Sequence, residues 1–309
     1  MLEAMVITLT SLCVDINQVP QSELSVTDIT PGSNKRPYPN FTGLGGSTNN
    51  GISNYNSFQA VFQKRLTHGL ELNANYTFSK FLDSQDSSGW GSSAGSQTYQ
   101  SSFCVPCNYG PSNFDLRHVF TFSGIYTLPF GRGAQFLNKS VLEDVVFGGW
   151  RLAATSRENT GSPFTPVMSS SQTYAQAGSQ FPNLIGNPRS VVAPNNTGDT
   201  HNGGAQASVH TLANWFNKFA YASPGIAMFG NVHRNSLYGP GYTNLNLSFG
   251  KTFSVYQKYR LEIRADAQNA LNHASFGGPD SAIDDTHPAV ITSVTDGGRH
   301  IQLYARFSF

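Results

Sequence analysis

The sequence predicts an all-β protein with long antiparallel strands, because its side chains alternate in character over long segments. Within residues 259–271, apolar residues alternate with four charged ones, beginning with Arg260 and Glu262. Successive side chains of a strand point to opposite faces, so one face here is apolar and the other needs water. The segments reach the roughly 9–11 residues of a membrane-spanning strand, whereas strands of soluble proteins run about 5–6. Length therefore favours a transmembrane β-barrel over a soluble sheet with one wet face.

The first half of the chain contains a weak strand and a clear hairpin. Residues 5–16 alternate least regularly, so this strand is the weakest prediction. The hairpin has strands over residues 55–65 and 70–81, joined by a turn at Thr67, His68 and Gly69. One face of its second strand is apolar: Leu70, Leu72, Ala74, Tyr76 and Phe78. A long polar loop over residues 82–113 follows.

Two further strands lie in the middle of the chain. Residues 115–128 place Phe120, Phe122 and Tyr126 on one side and lead into a turn over residues 129–133. After a short linker, residues 148–160 form a strand with Trp150 and Leu152 facing outward. Residues 165–238 follow as the longest predicted loop, rich in Ser, Asn, Gly and Pro. A structureless loop of that length is unusual in a compact soluble domain.

The C-terminal section has the most regular alternation. Strands are predicted over residues 242–253, 259–271 and 301–309, with a turn near residues 254–257 and a loop over residues 272–299. The chain thus has about eight predicted strands. Short turns at one end and long loops at the other are the asymmetry of outer-membrane barrels.

Composition fits this prediction and argues against other classes. Charged residues make up 12% of the chain, about half the usual share of roughly 25% in soluble domains. Aromatic residues are plentiful, with 22 Phe and 13 Tyr, as in interfacial girdles or in a Phe- and Tyr-rich soluble β-sandwich. The net charge of +1 gives no basic surface, so nucleic acid is not an expected partner. No run of 18 apolar residues predicts a transmembrane helix.

The polar face of the strand over residues 259–271 predicts a wet interior. Its charges alternate in sign along the strand, and cross-strand partners are expected to pair with them. We expect this row to line the lumen: Arg260, Glu262, Arg264 and Asp266.

The last strand carries a second functional interpretation. It ends in an aromatic residue, Phe309, and resembles the signal that the barrel assembly machinery recognises, with Tyr304 and Phe307 as further hydrophobic anchors. The simpler reading is a lipid-facing strand end, and the two are compatible.

No residue pattern predicts catalysis or a cofactor. Histidines are dispersed, and no zinc, EF-hand, nucleotide or nucleophile motif occurs, so we expect neither an enzyme nor a metal site. Cys104 and Cys107 lie in a loop, where a disulfide and two free thiols stay equally open. Asp115 and Arg117 share a strand face, opposite His118, and we interpret them as a network at the base of a loop.

A set of segments resembles the Oar-like branch of the TonB-dependent outer-membrane receptors, in the C-terminal part of its barrel. One example is Gly110-Pro-Ser-Asn-Phe-Asp-Leu-Arg-His118. The matching segments are residues 15–20, 55–59, 64–70, 75–80, 110–118, 128–133, 148–150, 161–165, 239–248, 264–273 and 306–309. Their number and order make the resemblance specific over residues 15–309.

The resemblance implies an outer-membrane barrel of about 22 strands, closed by a plug and driven through the TonB system. About eight strands cannot close such a barrel, so the chain is expected to be part of a larger one. Residues 1–14 do not match and lack the basic residues of a secretory signal. A one-base frameshift in their back-translation permits a family-like sequence, which suggests a truncation or a gene-calling artefact.

These arguments predict a fragment of an outer-membrane uptake receptor whose substrate the sequence does not reveal. Its expected partners are outer-membrane lipid, the barrel assembly machinery, an unknown ligand and, through an N-terminal region not found here, the TonB system. Two alternatives remain open: a small self-contained outer-membrane barrel acting as an adhesin or structural protein, and a secreted soluble β-protein that binds glycans.

Overall fold

The computed structural model describes residues 2–24, 35–41, 44–85, 99–131, 135–137, 140–170, 172–175, 178–190, 208–256 and 259–309. Its main element is one antiparallel sheet of eight long strands, which we number in chain order. They are β1 (Leu2–Asp15), β2 (Gly45–Thr67), β3 (Leu70–Asp83), β4 (His118–Thr127), β5 (Trp150–Asn159), β6 (Tyr242–Tyr256), β7 (Tyr259–Gln268) and β8 (His300–Ser308).

Each of these strands pairs with its neighbour in the sequence, in the order β1 to β8. A two-residue strand, Gly110–Pro111, adds to β3 as the ninth member of the sheet. Among the described strands, β1 and β8 do not pair with each other, so the sheet is open. The predicted all-β, up-and-down antiparallel architecture is confirmed, and the open sheet is consistent with part of a larger barrel.

The register of the strands sorts the side chains onto two faces. Phe249 of β6, for example, lies opposite Leu152 of β5 and Ala265 of β7. Because opposed residues share a face, the apolar rows of neighbouring strands form one continuous surface. We call this surface the apolar face; its larger members are Phe58, Phe62, Leu70, Leu72, Tyr76, Phe78, Phe120, Phe122, Tyr126, Trp150, Leu152, Leu245, Leu247, Phe249, Phe253, Tyr259, Leu261, Ile263, Ile301, Leu303 and Phe307.

The apolar face is not covered by a second protein layer over much of its area. Leu303 is 79% exposed, Ile301 65% and Phe62 59%. The opposite side of the sheet, which we call the polar face, carries Asn75, Thr155 and the charged row of β7. A face of this size that is both apolar and uncovered indicates contact with lipid or with another protein.

Several strand boundaries differ from those predicted. β2 begins at Gly45 and not near residue 55, because its polar first half pairs with β1 and needs no alternation to do so. β4 begins at His118 and β7 ends at Gln268, each three residues inside the predicted strand. β6 extends to Tyr256, so most of the predicted turn over residues 254–257 is strand, and its last residue, Gln257, lies outside the described residues.

The predicted turn between β2 and β3 is confirmed as a two-residue hairpin loop. His68 and Gly69 both have positive φ, 51° and 78°. Positive φ at both positions is the type I′ geometry, whose twist matches that of paired strands. A Cβ on Gly69 would lie 2.6 Å from the carbonyl oxygen of Thr127, so glycine is also required sterically.

Short helices and strands occupy the connections. The linker before β5 contains an α-helix, α1 (Val141–Phe147). Among the described residues, 3-10 helices lie at Gln21–Glu23, Pro106–Asn108 and Lys218–Ala220. Pro163–Phe164 pairs with Leu237–Tyr238, and Asn183–Leu184 pairs with Tyr221–Ala222. No helix among the described residues is long and apolar enough to cross a membrane.

We predict that charge is tolerated on the polar face and not on the apolar face. Leu303→Arg should lower the free energy of unfolding in bilayers by about 2–4 kcal/mol, because the guanidinium would face lipid. Gln302→Arg, one residue away on the polar face, is the matched control and should change it by less than about 1 kcal/mol. Urea titration of the full-length outer-membrane protein that contains this chain, folded in vesicles, measures both. Equal effects of the two substitutions would contradict lipid contact.

Candidate functional site

The long connections fold together into a compact unit at one end of the sheet. We call it the loop assembly, comprising residues 99–117, 160–190, 208–241 and 269–299 as far as they are described. These segments join strand ends on the same side, namely β3 to β4, β5 to β6 and β7 to β8. They enclose a small hydrophobic core, formed by Phe181, Phe216, Ala220, Tyr221, Val232, Leu237 and Ala289. The described residues between 165 and 238 are mostly irregular in secondary structure, as predicted, yet several of them pack in this core.

Burial in this core suppresses the ionisation of one of its tyrosines. Tyr221 is 6% exposed, and desolvation raises its pKa to about 12, partly offset by the charge of Arg189. The phenol therefore stays neutral over the physiological range, as its position beside Phe216 requires.

A buried ion pair fixes the loop assembly to the sheet. Arg234 is 1% exposed, and its guanidinium contacts both the carboxylate and the backbone carbonyl of Asp83, at the end of β3. Its Nε donates to the carbonyl oxygen of Asn108 at 2.8 Å. One side chain thus joins three segments that are far apart in the sequence. No sequence signal distinguished Arg234 from an exposed arginine.

Asp115 is a second junction between the sheet and the loops, and its side chain is fully buried. Its carboxylate accepts hydrogen bonds from the backbone N–H of Phe81 at 2.7 Å and from the hydroxyl of Tyr238 at 2.9 Å. Arg117 lies 3.4 Å from the same carboxylate. Burial, chiefly, raises the pKa of Tyr238, which keeps its hydroxyl available as a donor. This geometry matches the predicted network at the loop base, while His118 instead contacts Tyr76 on the other face.

Two glutamine side chains connect the loops to one another. Gln100, which is half-buried, accepts hydrogen bonds at Oε1 from the backbone N–H groups of Phe181 and Gly230, at 3.1 and 2.9 Å. Gln18, which is fully buried, donates to the carbonyl oxygen of Gln100 at 3.0 Å. Glutamine is usually exposed, so its burial here was not predictable from residue type. These bonds give the loops a defined arrangement with little apolar area.

The predicted polar row of β7 forms local and cross-strand contacts. Arg264 Nε lies 3.0 Å from Asp266 Oδ2, and Arg264 Nη1 lies 4.0 Å from Glu262 Oε1. Ser248 of β6 donates to Asp266 Oδ1 at 2.6 Å. All of these side chains lie on the polar face, where Arg260 extends the row.

The three predicted assembly residues do not share one environment. Phe307 belongs to the apolar face and stacks on Tyr259, with ring centroids 5.9 Å apart. Phe309 is 88% exposed. Tyr304 lies on the polar face, where the guanidinium of Arg264 sits 4.9 Å from its ring centroid. It is therefore placed apart from the other two.

Two cavities lie where the loop assembly meets the sheet. The larger, of about 670 Å³, extends to the apolar side of the sheet, since Phe120, Glu158 and Thr243 line it together with Trp215. The second, of about 450 Å³, reaches Arg157 on the polar face. No group of side chains suited to hold a metal ion occurs among the described residues.

A family described as an outer membrane beta barrel domain matches residues 9–302 of the sequence. The chain belongs to this family. Neither a curated protein nor a solved structure matches it. The match covers β2 to β7 completely, the second half of β1 and the beginning of β8.

Because the chain belongs to this family, its location is the outer membrane. Barrels of this kind have an apolar band facing lipid and a polar interior, which is the division seen between the two faces of the sheet. Their short turns face the periplasm and their long loops the cell exterior. The loop assembly is then the extracellular part of this barrel domain.

One covalent link adds to the loop assembly of the barrel domain. Cys104 and Cys107 are joined by a disulfide, with Cα atoms 5.2 Å apart, in the segment that precedes Asn108 and Gly110. Since that segment receives the guanidinium of Arg234, the disulfide lies next to the buried junction.

We predict that the loop assembly depends on the ion pair between Arg234 and Asp83. Arg234→Ala should destabilise the assembly by about 3–5 kcal/mol, because it removes the cation that a buried carboxylate contacts. Limited proteolysis of the folded protein in detergent, with cleavage sites mapped by mass spectrometry, should show faster cutting in the loops. Arg189→Ala, an exposed arginine in the same assembly, is the control and should leave the cleavage rate unchanged. Similar rates in the two variants would reject the prediction.

Proposed function

We propose that this domain contributes strands to the barrel of an Oar-like TonB-dependent receptor. In the intact receptor it takes part in energised uptake of a substrate across the outer membrane. No catalytic step is assigned to it, and no cofactor. The TonB system acts through a region other than the barrel, and the ligand is recognised by the long loops.

The observation that carries the proposal is the open sheet of long strands with a broad polar face. Membrane barrels leave no unpaired edges in lipid, so the edges of β1 and β8 require further strands. An interior that carries alternating charges, such as Arg264 and Asp266, needs water or a polar plug against it. Large plugged transporters of about 22 strands provide such an interior.

The positions of the family-like segments support the proposal. Residues 110–118 contain Asp115 and Arg117 and form the junction at the base of the loops. Residues 264–273 begin in the charged row of β7 and end in the turn after it. Asn269 in that turn donates to the carbonyl oxygens of His273 and Gly297. The resemblance therefore falls on residues that organise the rim and the interior, where a receptor binds its ligand and its plug.

The two alternatives fit the structure less well. A self-contained barrel of eight strands needs β1 to pair with β8, and the described strands do not do so. A soluble glycan-binding protein needs the apolar face to be covered, yet Leu303 and Ile301 are largely exposed.

The receptor proposal predicts a large, TonB-linked protein in native membranes. An antibody raised against residues 280–299 should detect, in outer membranes of the source cells, a band well above the 33.5 kDa of this chain. The same band should cross-link to TonB, and collapse of the proton-motive force should reduce the cross-link. A TonB-independent, membrane-inserted band at 33.5 kDa would support the self-contained barrel instead. Recovery in the soluble fraction would support the glycan-binding protein.

We also propose that the barrel assembly machinery recognises the C-terminal strand through Phe307 and Phe309. Deletion of Phe309 should reduce outer-membrane insertion of the intact receptor, because the strand would lose its terminal aromatic anchor. The fraction of heat-modifiable protein in isolated outer membranes measures insertion. Phe309→Tyr keeps an aromatic terminus and should insert normally. Unchanged insertion of the deletion variant would reject the signal role.

A further inference from the structure

Helix α1 lies against the apolar face, at the end of the sheet opposite the loop assembly. It belongs to the connection between β4 and β5, whose ends are joined by a hydrogen bond from Leu128 N to the carbonyl oxygen of Trp150, 2.9 Å long. Trp150 stacks on Phe249 of the apolar face, with ring centroids 4.4 Å apart. Its indole N–H donates to the carbonyl oxygen of Val146 in α1 at 2.9 Å. The helix is thus tied to the side of the sheet that faces lipid.

A lysine on the apolar face reaches into the C-terminal turn of this helix. Lys251 lies opposite Trp150 and Ile263 in the register, yet it is only 5% exposed. Its ammonium donates to the carbonyl oxygens of Asp144 at 3.0 Å and Val145 at 2.6 Å. The carbonyl oxygen of Asp144 also accepts from the backbone N–H of Gly148 at 2.9 Å. Carbonyls in the last turn of a helix carry partial negative charge, so they suit a cation. The helix therefore covers a charge that would otherwise face acyl chains.

The last turn of α1 is itself apolar and uncovered. Val145 is 51% exposed, Val146 49% and Phe147 48%. The same connection also exposes Phe136, at 51%. Three consecutive exposed apolar residues beside the apolar face extend that face beyond the ends of the strands.

We propose that α1 lies in the periplasmic leaflet of the outer membrane, with Val145, Val146 and Phe147 in contact with phospholipid acyl chains. Short connections of outer-membrane barrels face the periplasm, which sets the leaflet. The continuity of these side chains with the lipid-facing surface of the sheet identifies acyl chains as the occupant. Apolar side chains on an interfacial helix enter the boundary between headgroups and acyl chains in this way.

Spin labelling tests the depth of the helix directly. The full-length outer-membrane protein that contains this chain, with its cysteines (Cys13, Cys104 and Cys107 among them) replaced by serine, is labelled at Val146→Cys and reconstituted in phosphatidylethanolamine–phosphatidylglycerol vesicles. Two control labels provide reference values: Leu303→Cys on the apolar face for a label in lipid, and His68→Cys in the exposed turn for a label in water. Heat modifiability on gels shows that each variant is folded.

The ratio of collisions with oxygen to collisions with a water-soluble nickel chelate decides the outcome. A ratio at position 146 that is several-fold above that at position 68, and close to that at position 303, is the expected result. A ratio equal to that at position 68 would place the helix in water and overturn the proposal. A water-like ratio at position 303 as well would overturn lipid contact of the whole sheet, and with it the position of the helix.

A second pair of variants tests how the helix is held. Lys251→Met keeps an unbranched side chain but loses the donor, so the label at position 146 should become more mobile and its spectral lines narrower. Lys251→Arg keeps the donor and should retain the broad lines. Equal line widths in the two variants would overturn the role of Lys251 in positioning α1.

Discussion

The structure depends on continuous backbone hydrogen bonding between neighbouring antiparallel strands in a fixed register. In lipid each unpaired backbone group is costly, so every strand must be paired along its length. The same register decides where side chains go, because opposed residues share a face. Phe249 meets Leu152 on one side and Ala265 on the other only because the ladder holds them in place. The apolar face and the polar face both follow from this pairing.

The loop assembly is stabilised in a different way. Its hydrophobic core is small, and the segments are joined mainly through buried polar groups: the guanidinium of Arg234, the carboxylate of Asp115 and the amide of Gln18. Such networks depend on direction, so they fix one arrangement of long loops above an open interior. A fixed arrangement leaves defined openings, including the cavity that reaches Arg157. The proposed receptor function, in which the loops recognise a ligand, requires this combination of order and access.

At the opposite end of the sheet, a charged side chain is shielded from lipid. Lys251 lies on a face that is otherwise suited to lipid, and the carbonyls of the last turn of α1 accept its ammonium. Trp150 connects the helix to the sheet, since its ring stacks on Phe249 and its indole N–H donates to the carbonyl oxygen of Val146. The charge, the helix and the aromatic side chains therefore form one unit at the edge of the apolar face.

Sequence alone determined the all-β class, the number of long strands, the two faces and the hairpin at His68 and Gly69. Side-chain alternation and turn-forming residues are local properties, so a short window of sequence is enough to predict them. The polar first half of β2 escaped prediction because strand pairing, and not alternation, makes it a strand. Only the tertiary structure decided that Arg234 meets Asp83 and that Phe181 and Phe216 pack in one core. These outcomes depend on contacts between distant segments, whose energies no local pattern encodes.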